Sequence, residues 1–218
     1  MTLKLRLDST SARRAAWAGG CFVLVGLDVM SGGLISSFDS IVRDWVQPQP
    51  GAVDSWLDVA GDLGEQGVSA ALLGIAGAVA SHLLWKLWPL VFVVALFLST
   101  QALVYLTKWV VGREGPGAWA DRAGYPGYYP SGHTTTAAVC AGSVVFLVLV
   151  TRLGASCADR AATWGSVAGL LAGALAAVYS IMGDSHWFSD GVGGLLLAYC
   201  ILSVAFALVP ANTVGGTG

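Results

Sequence analysis

Charged residues are scarce in this chain of 218 residues, at 11% of the composition, and they form no long basic run. A chain without a basic run lacks the electrostatic surface that binds nucleic acid, so nucleic acid is not expected as a partner. Hydrophobic residues make up 56% of the chain and the mean hydropathy is +0.71. A soluble domain of this length cannot bury that much apolar surface, so the chain belongs in a lipid bilayer.

Cysteine and histidine are also few, with four cysteines and three histidines. Cys21, Cys140 and Cys200 lie within apolar runs and Cys157 in a short connection, and no two have the Cys-x-x-Cys spacing. Neither a disulfide framework nor a cysteine metal site is therefore expected. Because histidines are so few, the position of each one is informative.

Six apolar segments are long enough to cross a bilayer, since about 20 apolar residues in a helix span its hydrocarbon core. They cover residues 15–38, 68–84, 88–105, 134–150, 162–181 and 192–209. We therefore predict an all-α polytopic membrane protein, a bundle of six transmembrane helices in which residues 1–218 form one domain. The glycine-rich runs 73–78 and 169–174 are predicted to allow close contacts between helices.

Lysine and arginine predict the orientation, because cytoplasmic connections are enriched in them. If residues 1–14 are cytoplasmic, the inner segments hold Lys4, Arg6, Arg13, Arg14, Lys86, Arg152 and Arg160. The outer loop, residues 39–67, is instead rich in acidic residues. Both termini are then cytoplasmic in a multi-pass protein of the cell membrane, and the segments 107–133 and 183–190 emerge together on the outer side.

Two histidine-bearing segments lie where apolar spans meet water. One is Pro-Ser-Gly-His at residues 130–133, and in the other His186 is followed four residues later by Asp190. Lys108 and Arg113 lie upstream, at the end of another span. Because all of these residues are predicted on the outer side, they form one candidate site.

The removal of a phosphate from a hydrophobic alcohol requires a nucleophile, a group that orients it and an acid for the leaving oxygen. His186 is the predicted nucleophile, with Asp190 accepting a hydrogen bond from its ring. His133 is the predicted general acid. The expected intermediate is a phosphohistidine, and the reaction calls for no metal or other cofactor.

Four residues are predicted to bind the phosphate. Lys108 and Arg113 can hold its non-bridging oxygens. Ser131 and Gly132 open a helix, where free amides and the helix dipole favour an anion. The alternatives are that Lys108 and Arg113 are interfacial side chains reaching toward water, and that Asp190 only caps its helix.

A metal centre is the rival geometry for the same residues. His133, His186 and Asp190 are a ligand set that could bind a transition metal. Lys108 and Arg113 disfavour this alternative, because two cationic side chains would lie beside the metal ion. Of the remaining polar residues in or near the spans, His82 is interpreted as structural, and Asp28 either as functional or as hydrogen-bonded to a neighbouring helix.

These motifs resemble those of the type 2 phosphatidic acid phosphatase superfamily, the integral-membrane lipid phosphatases. That family shows a Lys followed seven residues later by Arg-Pro, then Pro-Ser-Gly-His, then a Ser-Arg upstream of His-x-x-x-Asp. The second motif is intact at residues 130–133, and Lys108, His186 and Asp190 match parts of the other two. The resemblance implies a lipid phosphate or a polyprenyl (di)phosphate as the substrate.

Two arginines of the family pattern are missing. Gly115 precedes Pro116 where the family has an arginine, and Tyr179 and Ser180 stand in place of Ser-Arg. Each charge-assisted contact to phosphate contributes about 1.5 to 3 kcal/mol. Three consequences stay open: Arg113 takes over part of the role, the affinity is lower, or the ligand is not a simple phosphate monoester.

Other functions remain compatible with the same residues. The enzyme could transfer the phosphoryl group to another acceptor or ionise a prenyl diphosphate, which the missing arginines motivate. A non-enzymatic lipid-phosphate-binding protein is a third class, and the intact His133, His186 and Asp190 argue against it. A homo-oligomer is also compatible with the sequence.

Overall fold

The structure, a computed structural model, describes residues 9–46, 55–117, 120 and 124–209. These residues form eight α-helices and no strand. The helices are α1 (Ser9–Ser31), α2 (Leu34–Val46), α3 (Ser55–Gly64), α4 (Gln66–Leu84), α5 (Trp88–Val111), α6 (Gly132–Leu153), α7 (Ala158–Met182) and α8 (Phe188–Ala207). All except α2 and α3 are long and apolar enough to cross a bilayer. The predicted all-α bundle of six transmembrane helices is confirmed.

Some of the predicted segments lie partly outside the described residues. The N-terminal segment 1–14 is described only from residue 9, and the outer loop 39–67 is described without residues 47–54. Within the described part of that loop the chain is helical, as the end of α2 and the whole of α3. The sequence-based prediction had assigned no secondary structure there.

The first transmembrane helix ends earlier than predicted. α1 stops at Ser31 instead of continuing to residue 38, because Gly32 adopts a φ of 65°, a left-handed conformation that glycine accepts readily. Asp28 lies in the last turn of α1, and its carboxylate accepts a hydrogen bond from the backbone amide of Ser36 in α2 at 3.0 Å. Asp28 therefore joins α1 to the neighbouring helix, the structural alternative considered for it.

The third transmembrane helix, α5, is longer than predicted at its C-terminal end. It continues to Val111 instead of residue 105, and Gly112 ends it with a φ of 59°. Lys108 consequently lies in the last helical turn and not in a loop, where it is 5% exposed. The position of this last turn of α5 therefore sets where the Lys108 side chain enters the site.

Glycine lets α6 and α7 approach each other closely. Gly165, Gly169 and Gly173 recur every four residues on α7 and face α6. A Cβ atom added at Gly169 would lie 2.6 Å from the carbonyl oxygen of Ala138. Such small-residue contacts are typical of helix pairs in lipid, and they explain the glycine-rich sequence of this segment.

The six transmembrane helices alternate in direction, so their connections divide between the two ends of the bundle. The C-terminal end of α5 and the N-terminal ends of α4, α6 and α8 lie at one end, together with α2 and α3. The α4–α5 and α6–α7 connections lie at the other. All the candidate site residues belong to the first end.

Candidate active site

The two histidine motifs meet through the backbone. The amide of Ser131 donates to the carbonyl oxygen of Asp190 at 2.9 Å, which joins the N-terminal ends of α6 and α8. The Ser131 hydroxyl oxygen caps α6 by accepting from the amide and the hydroxyl of Thr134. The amide and the hydroxyl oxygen of Ser131 thus have protein partners, and Ser131 is not among the residues that line the cavity at these helix ends.

A cavity of about 390 Å³ lies where these helix ends meet. Lys108, Gly132, His133 and His186 line it, so four of the seven predicted site residues share one space. The first four amides of a helix have no partner within the helix, and in α6 those of Gly132 and His133 are not used by the Ser131 cap. The cavity wall therefore combines two imidazoles, an ammonium group and a helix N-terminus.

His186 is oriented by Asp190 as predicted from their spacing. The ring Nδ1 of His186 lies 3.2 Å from Oδ2 of Asp190, and that oxygen also accepts from the amide of Trp187 at 3.0 Å. This arrangement leaves Nε2 for a substrate. Burial lowers the pKa of His186 below its ordinary value of 6.5, although the hydrogen bond to Asp190 acts in the opposite direction. The imidazole is therefore neutral at pH 7.

His133 has a partner that the sequence-based prediction did not include. Its Nε2 lies 3.0 Å from Oε1 of Glu65, which immediately precedes α4 and also lines the cavity. The preceding residue permits this approach: a Cβ atom at Gly64 would lie 2.7 Å from the Cα atom of His133. Only a glycine at the end of α3 lets Glu65 reach the imidazole.

Lys108 is held by the loop that follows α5. Its Nζ donates to the hydroxyl of Tyr125 at 2.9 Å and to the carbonyl oxygen of Gly127 at 2.8 Å. The same nitrogen lies 4.8 Å from the centre of the Tyr125 ring, within the range of a cation–π contact. These contacts hold the ammonium group at the cavity wall.

Arg113 lies behind Asp190 and is not among the residues that line the cavity. Its Nη1 donates to Oδ1 of Asp190 at 2.6 Å and to the hydroxyl of Ser189 at 2.6 Å. Its Nη2 donates to Oδ2 of Asp39 at 2.5 Å. The structure thus places Arg113 between two carboxylates, a different arrangement from the direct phosphate contact that the sequence predicted.

Asp39 is the second residue that the sequence-based prediction missed. It lies on α2 and is 2% exposed, in a loop where acidic residues are numerous. The available signal was its spacing from Arg43: the two lie one helical turn apart, on the side of α2 opposite to the large apolar residues. That spacing indicates a polar face turned toward the protein.

A second ion pair lies beside the site, at the α7–α8 connection. Arg43 makes two hydrogen bonds to the carboxylate of Asp184, at 2.7 Å and 2.8 Å. The ring of Trp187 lies 5.9 Å from the guanidinium carbon of Arg43 and 5.3 Å from that of Arg113.

At the position of a missing family arginine, Ser180 is buried and its hydroxyl donates to the carbonyl oxygen of Ala176.

The rival metal centre is not formed by the described residues. Among them, no group of three or more His, Cys, Asp and Glu side chains is arranged to hold a metal ion. All four cysteines are free thiols. The two histidines instead have separate carboxylate partners, Asp190 for His186 and Glu65 for His133.

The sequence and the fold of the chain are both similar to those of known proteins. The family model of the PAP2 superfamily matches residues 86–213, more than half of the chain and the part that holds both histidine motifs. The chain belongs to the PAP2 superfamily. Its fold is similar to the crystal structure of a transmembrane PAP2 type phosphatidylglycerolphosphate phosphatase from Bacillus subtilis, with a TM-score of 0.73 at 16% identity over 88% of this chain and 94% of that one. No curated protein matches the chain. The resemblance inferred from the motifs is confirmed, as is the membrane fold.

Proposed function

We propose that this PAP2 superfamily protein is a membrane-embedded, metal-independent phosphatase acting on a lipid phosphate or polyprenyl (di)phosphate. The observation that carries the proposal is the cavity shared by Lys108, His133 and His186. Behind it, Asp190 is hydrogen-bonded to the ring of His186. A buried neutral imidazole, an adjacent cation and a second imidazole are the groups that phosphoryl transfer to histidine requires.

The first step is an attack of His186 on phosphorus. Nε2 of His186 forms the bond to phosphorus as the bond from phosphorus to the lipid oxygen breaks. Nδ1–H donates to Asp190, which stabilises the positive charge that develops on the ring. The product on the enzyme is a phosphohistidine, which water then hydrolyses to inorganic phosphate and free His186.

His133 supplies the proton for the leaving oxygen. Its Nε2 lies 3.0 Å from Oε1 of Glu65, whose side chain is largely exposed at the cavity rim. The leaving oxygen takes the place of the Glu65 carboxylate and accepts the proton. A lipid monophosphate thus releases a neutral alcohol, and a polyprenyl diphosphate releases the polyprenyl monophosphate. In the second step His133 removes a proton from the attacking water.

The phosphate oxygens are bound by Lys108 and by the amides that open α6 at Gly132 and His133. Lys108 provides a positive charge at a fixed point, and the helix N-terminus provides donors without side-chain entropy. Ser131 acts through its cap, which sets the position of those amides. Arg113 acts on Asp190 through its hydrogen bond to that carboxylate.

The site faces the outer side of the cell membrane. Among the described residues, Arg43, Lys108 and Arg113 lie at the site end and each is bonded to protein groups, whereas the remaining lysines and arginines lie at the opposite end. In a cysteine-free background, Gln66→Cys is expected to react with a membrane-impermeant maleimide in intact cells. Lys86→Cys, at the opposite end, is expected to react only after lysis.

The decisive experiment is phosphate release by purified protein in detergent, with phosphatidate, phosphatidylglycerol phosphate and polyprenyl phosphates as substrates. His186→Ala is expected to lower the rate by about 10³-fold or more, because the nucleophile is lost. His82→Ala is the matched control, since His82 contacts Trp85 at the opposite end of the bundle. Full activity in His186→Ala would overturn the mechanism.

Transfer of the phosphoryl group to an acceptor other than water is the second candidate. Lys108 is the one lysine or arginine among the described residues that line the cavity. A multiply charged phosphate would therefore meet a single cationic side chain there. The products separate the two reactions. A phosphorylated acceptor in place of free phosphate would favour transfer. A cyclised terpenoid together with released diphosphate would instead favour ionisation of a prenyl diphosphate in the same site.

A further inference from the structure

The short helix α2 presents its apolar face outward and its charged face to the active site. The large apolar side chains Leu34, Phe38, Ile41 and Trp45 are exposed. On the other side, Asp39 is buried and Arg43 reaches Asp184. This orientation is the reverse of a helix on a soluble protein, and it suits a helix that borders lipid while its polar side chains serve the protein.

Asp39 joins α2 to the first turn of α8. Its Oδ1 accepts from the backbone amide of Ser189 at 2.8 Å, and its Oδ2 accepts from the hydroxyl of Ser189 at 2.6 Å. Oδ2 also accepts from Nη2 of Arg113. Asp39 therefore bonds to two residues next to Asp190: Ser189, which precedes Asp190 in the chain, and Arg113, which bonds to the Asp190 carboxylate.

The network carries two negative charges and one positive charge when Asp39, Arg113 and Asp190 are ionised. Arg113 lies between the two carboxylates and bonds one oxygen of each. The other oxygen of Asp190 faces His186. All three charged side chains are almost entirely buried, so the charge of each is neutralised by the others instead of by water. A change in one side chain therefore alters the electrostatic environment of the other two.

We propose that Asp39 is a positioning residue of the active site: through Arg113 and Ser189 it fixes the carboxylate of Asp190, and thereby the ring of His186. Without Asp39, one side of the Arg113 guanidinium has no anionic partner, and Arg113 turns more fully toward Asp190. The Asp190 carboxylate then moves relative to His186, and displacements of about 1 Å in such a site can slow catalysis by about 10²-fold. The inference rests on the proposed phosphatase function.

The test compares Asp39→Asn with Asp28→Asn in phosphatidate hydrolysis by the full-length protein in detergent. The two variants are matched, because each converts a carboxylate that accepts a hydrogen bond from a backbone amide near the start of a helix. Only Asp39 also contacts Arg113. Folding is checked by size-exclusion profile and thermal unfolding in the same detergent.

Asp39→Asn is expected to lower kcat by about 10- to 100-fold while KM stays within about twofold, because the phosphate-binding groups are untouched. Asp28→Asn is expected to retain wild-type kcat. Asp39→Glu, which keeps the negative charge, is expected to recover part of the lost activity. A uniform loss in all three variants would indicate a general structural role and overturn the inference.

The pH profile gives a readout that a purely structural role would not move. The charged or titratable groups that act on His186 are Asp190, which favours its protonated form, and Lys108 and His133, which disfavour it. Loss of the negative charge at Asp39 makes the network more positive, so the acidic limb of the kcat/KM profile is expected to shift to lower pH. An unmoved limb together with wild-type kcat would contradict the proposal.

Ser189→Ala is the second variant, should Asp39→Asn not fold. It removes the hydroxyl that bridges Asp39 and Arg113 and leaves every charge in place. A several-fold lower kcat with unchanged KM is expected, and wild-type kcat in this variant would overturn the inference. Absence of phosphate release by the wild-type protein would instead overturn the proposed function, and this inference with it.

Discussion

Glu65 accepts a hydrogen bond from Nε2 of His133 at 3.0 Å, although the two residues lie 68 positions apart in the chain. The contact joins the connection between α3 and α4 to the first turn of α6. It engages the same ring nitrogen of His133 that the proposed reaction assigns to the leaving oxygen. The acid of the proposed reaction is thus paired with a residue from a part of the chain that holds none of the family motifs.

If His133 protonates the leaving oxygen, the loss of rate on replacing it depends on how well the leaving group departs without a proton. His133→Gln is expected to slow hydrolysis of phosphatidate by about 10²- to 10⁴-fold, because an alkoxide leaves poorly without a proton. The loss with p-nitrophenyl phosphate is expected to be much smaller, since its leaving group is stable as an anion. The measurement is kcat/KM for both substrates, because this ratio reports the first step alone and not the later hydrolysis of the phosphohistidine, in which His133 also acts. An equal loss of kcat/KM on the two substrates would contradict the role.

Lys108 is expected to contribute mainly to phosphate binding. Lys108→Met is expected to raise KM for phosphatidate by about 10- to 100-fold, which corresponds to one lost charge-assisted contact. Competitive inhibition by inorganic phosphate is expected to weaken by a similar factor. Lys86→Met at the opposite end of the bundle is the control. An unchanged KM in Lys108→Met would show that Lys108 does not bind the phosphate.

The pH dependence follows from the environment of His186. Its pKa is lowered from the ordinary value of 6.5, chiefly by burial, and the nucleophile must be neutral. Activity is therefore expected to persist as the pH falls through 6.5 and to decline only below it. The acidic limb of kcat/KM is measured for p-nitrophenyl phosphate with the His133→Gln variant, so that His133 makes no contribution to it. A decline that begins above pH 6.5 would contradict the prediction.

The proposed reaction uses no metal ion. Oδ1 of Asp190 is bonded to Arg113 and Oδ2 to His186, so this carboxylate is already occupied by cationic and hydrogen-bonding partners. Phosphate release is expected to be unchanged by EDTA and not stimulated by added Mg²⁺ or Zn²⁺. Loss of activity in EDTA that returns on addition of one metal would revive the metal-centre alternative.

Much of the architecture was predictable from the sequence alone. Hydropathy and length identify transmembrane helices because the bilayer imposes one solution on any apolar segment of sufficient length. Counting spans then places Lys108, His133 and His186 at the same end of the bundle. The four-residue spacing of His186 and Asp190 likewise predicts their hydrogen bond, since it spans one helical turn.

The helix boundaries near the site were less predictable. Gly32 ends α1 and Gly112 ends α5 through positive φ angles, yet similar glycines within other helices support close packing. The same residue type therefore serves two purposes, and the sequence does not distinguish them. Only the packing of neighbouring helices decides whether a glycine ends a helix or lies within a contact.

Local composition and short spacings are enough to predict the class of protein, the number of spans and the candidate residues for the chemistry. The partners of those residues depend on how the chain folds. Asp39 and Glu65 reach the site, and Arg113 bonds carboxylates, through contacts between segments distant in the chain. Which of several acidic side chains turns inward depends on the desolvation and pairing that each would meet, and only the folded chain brings those groups together.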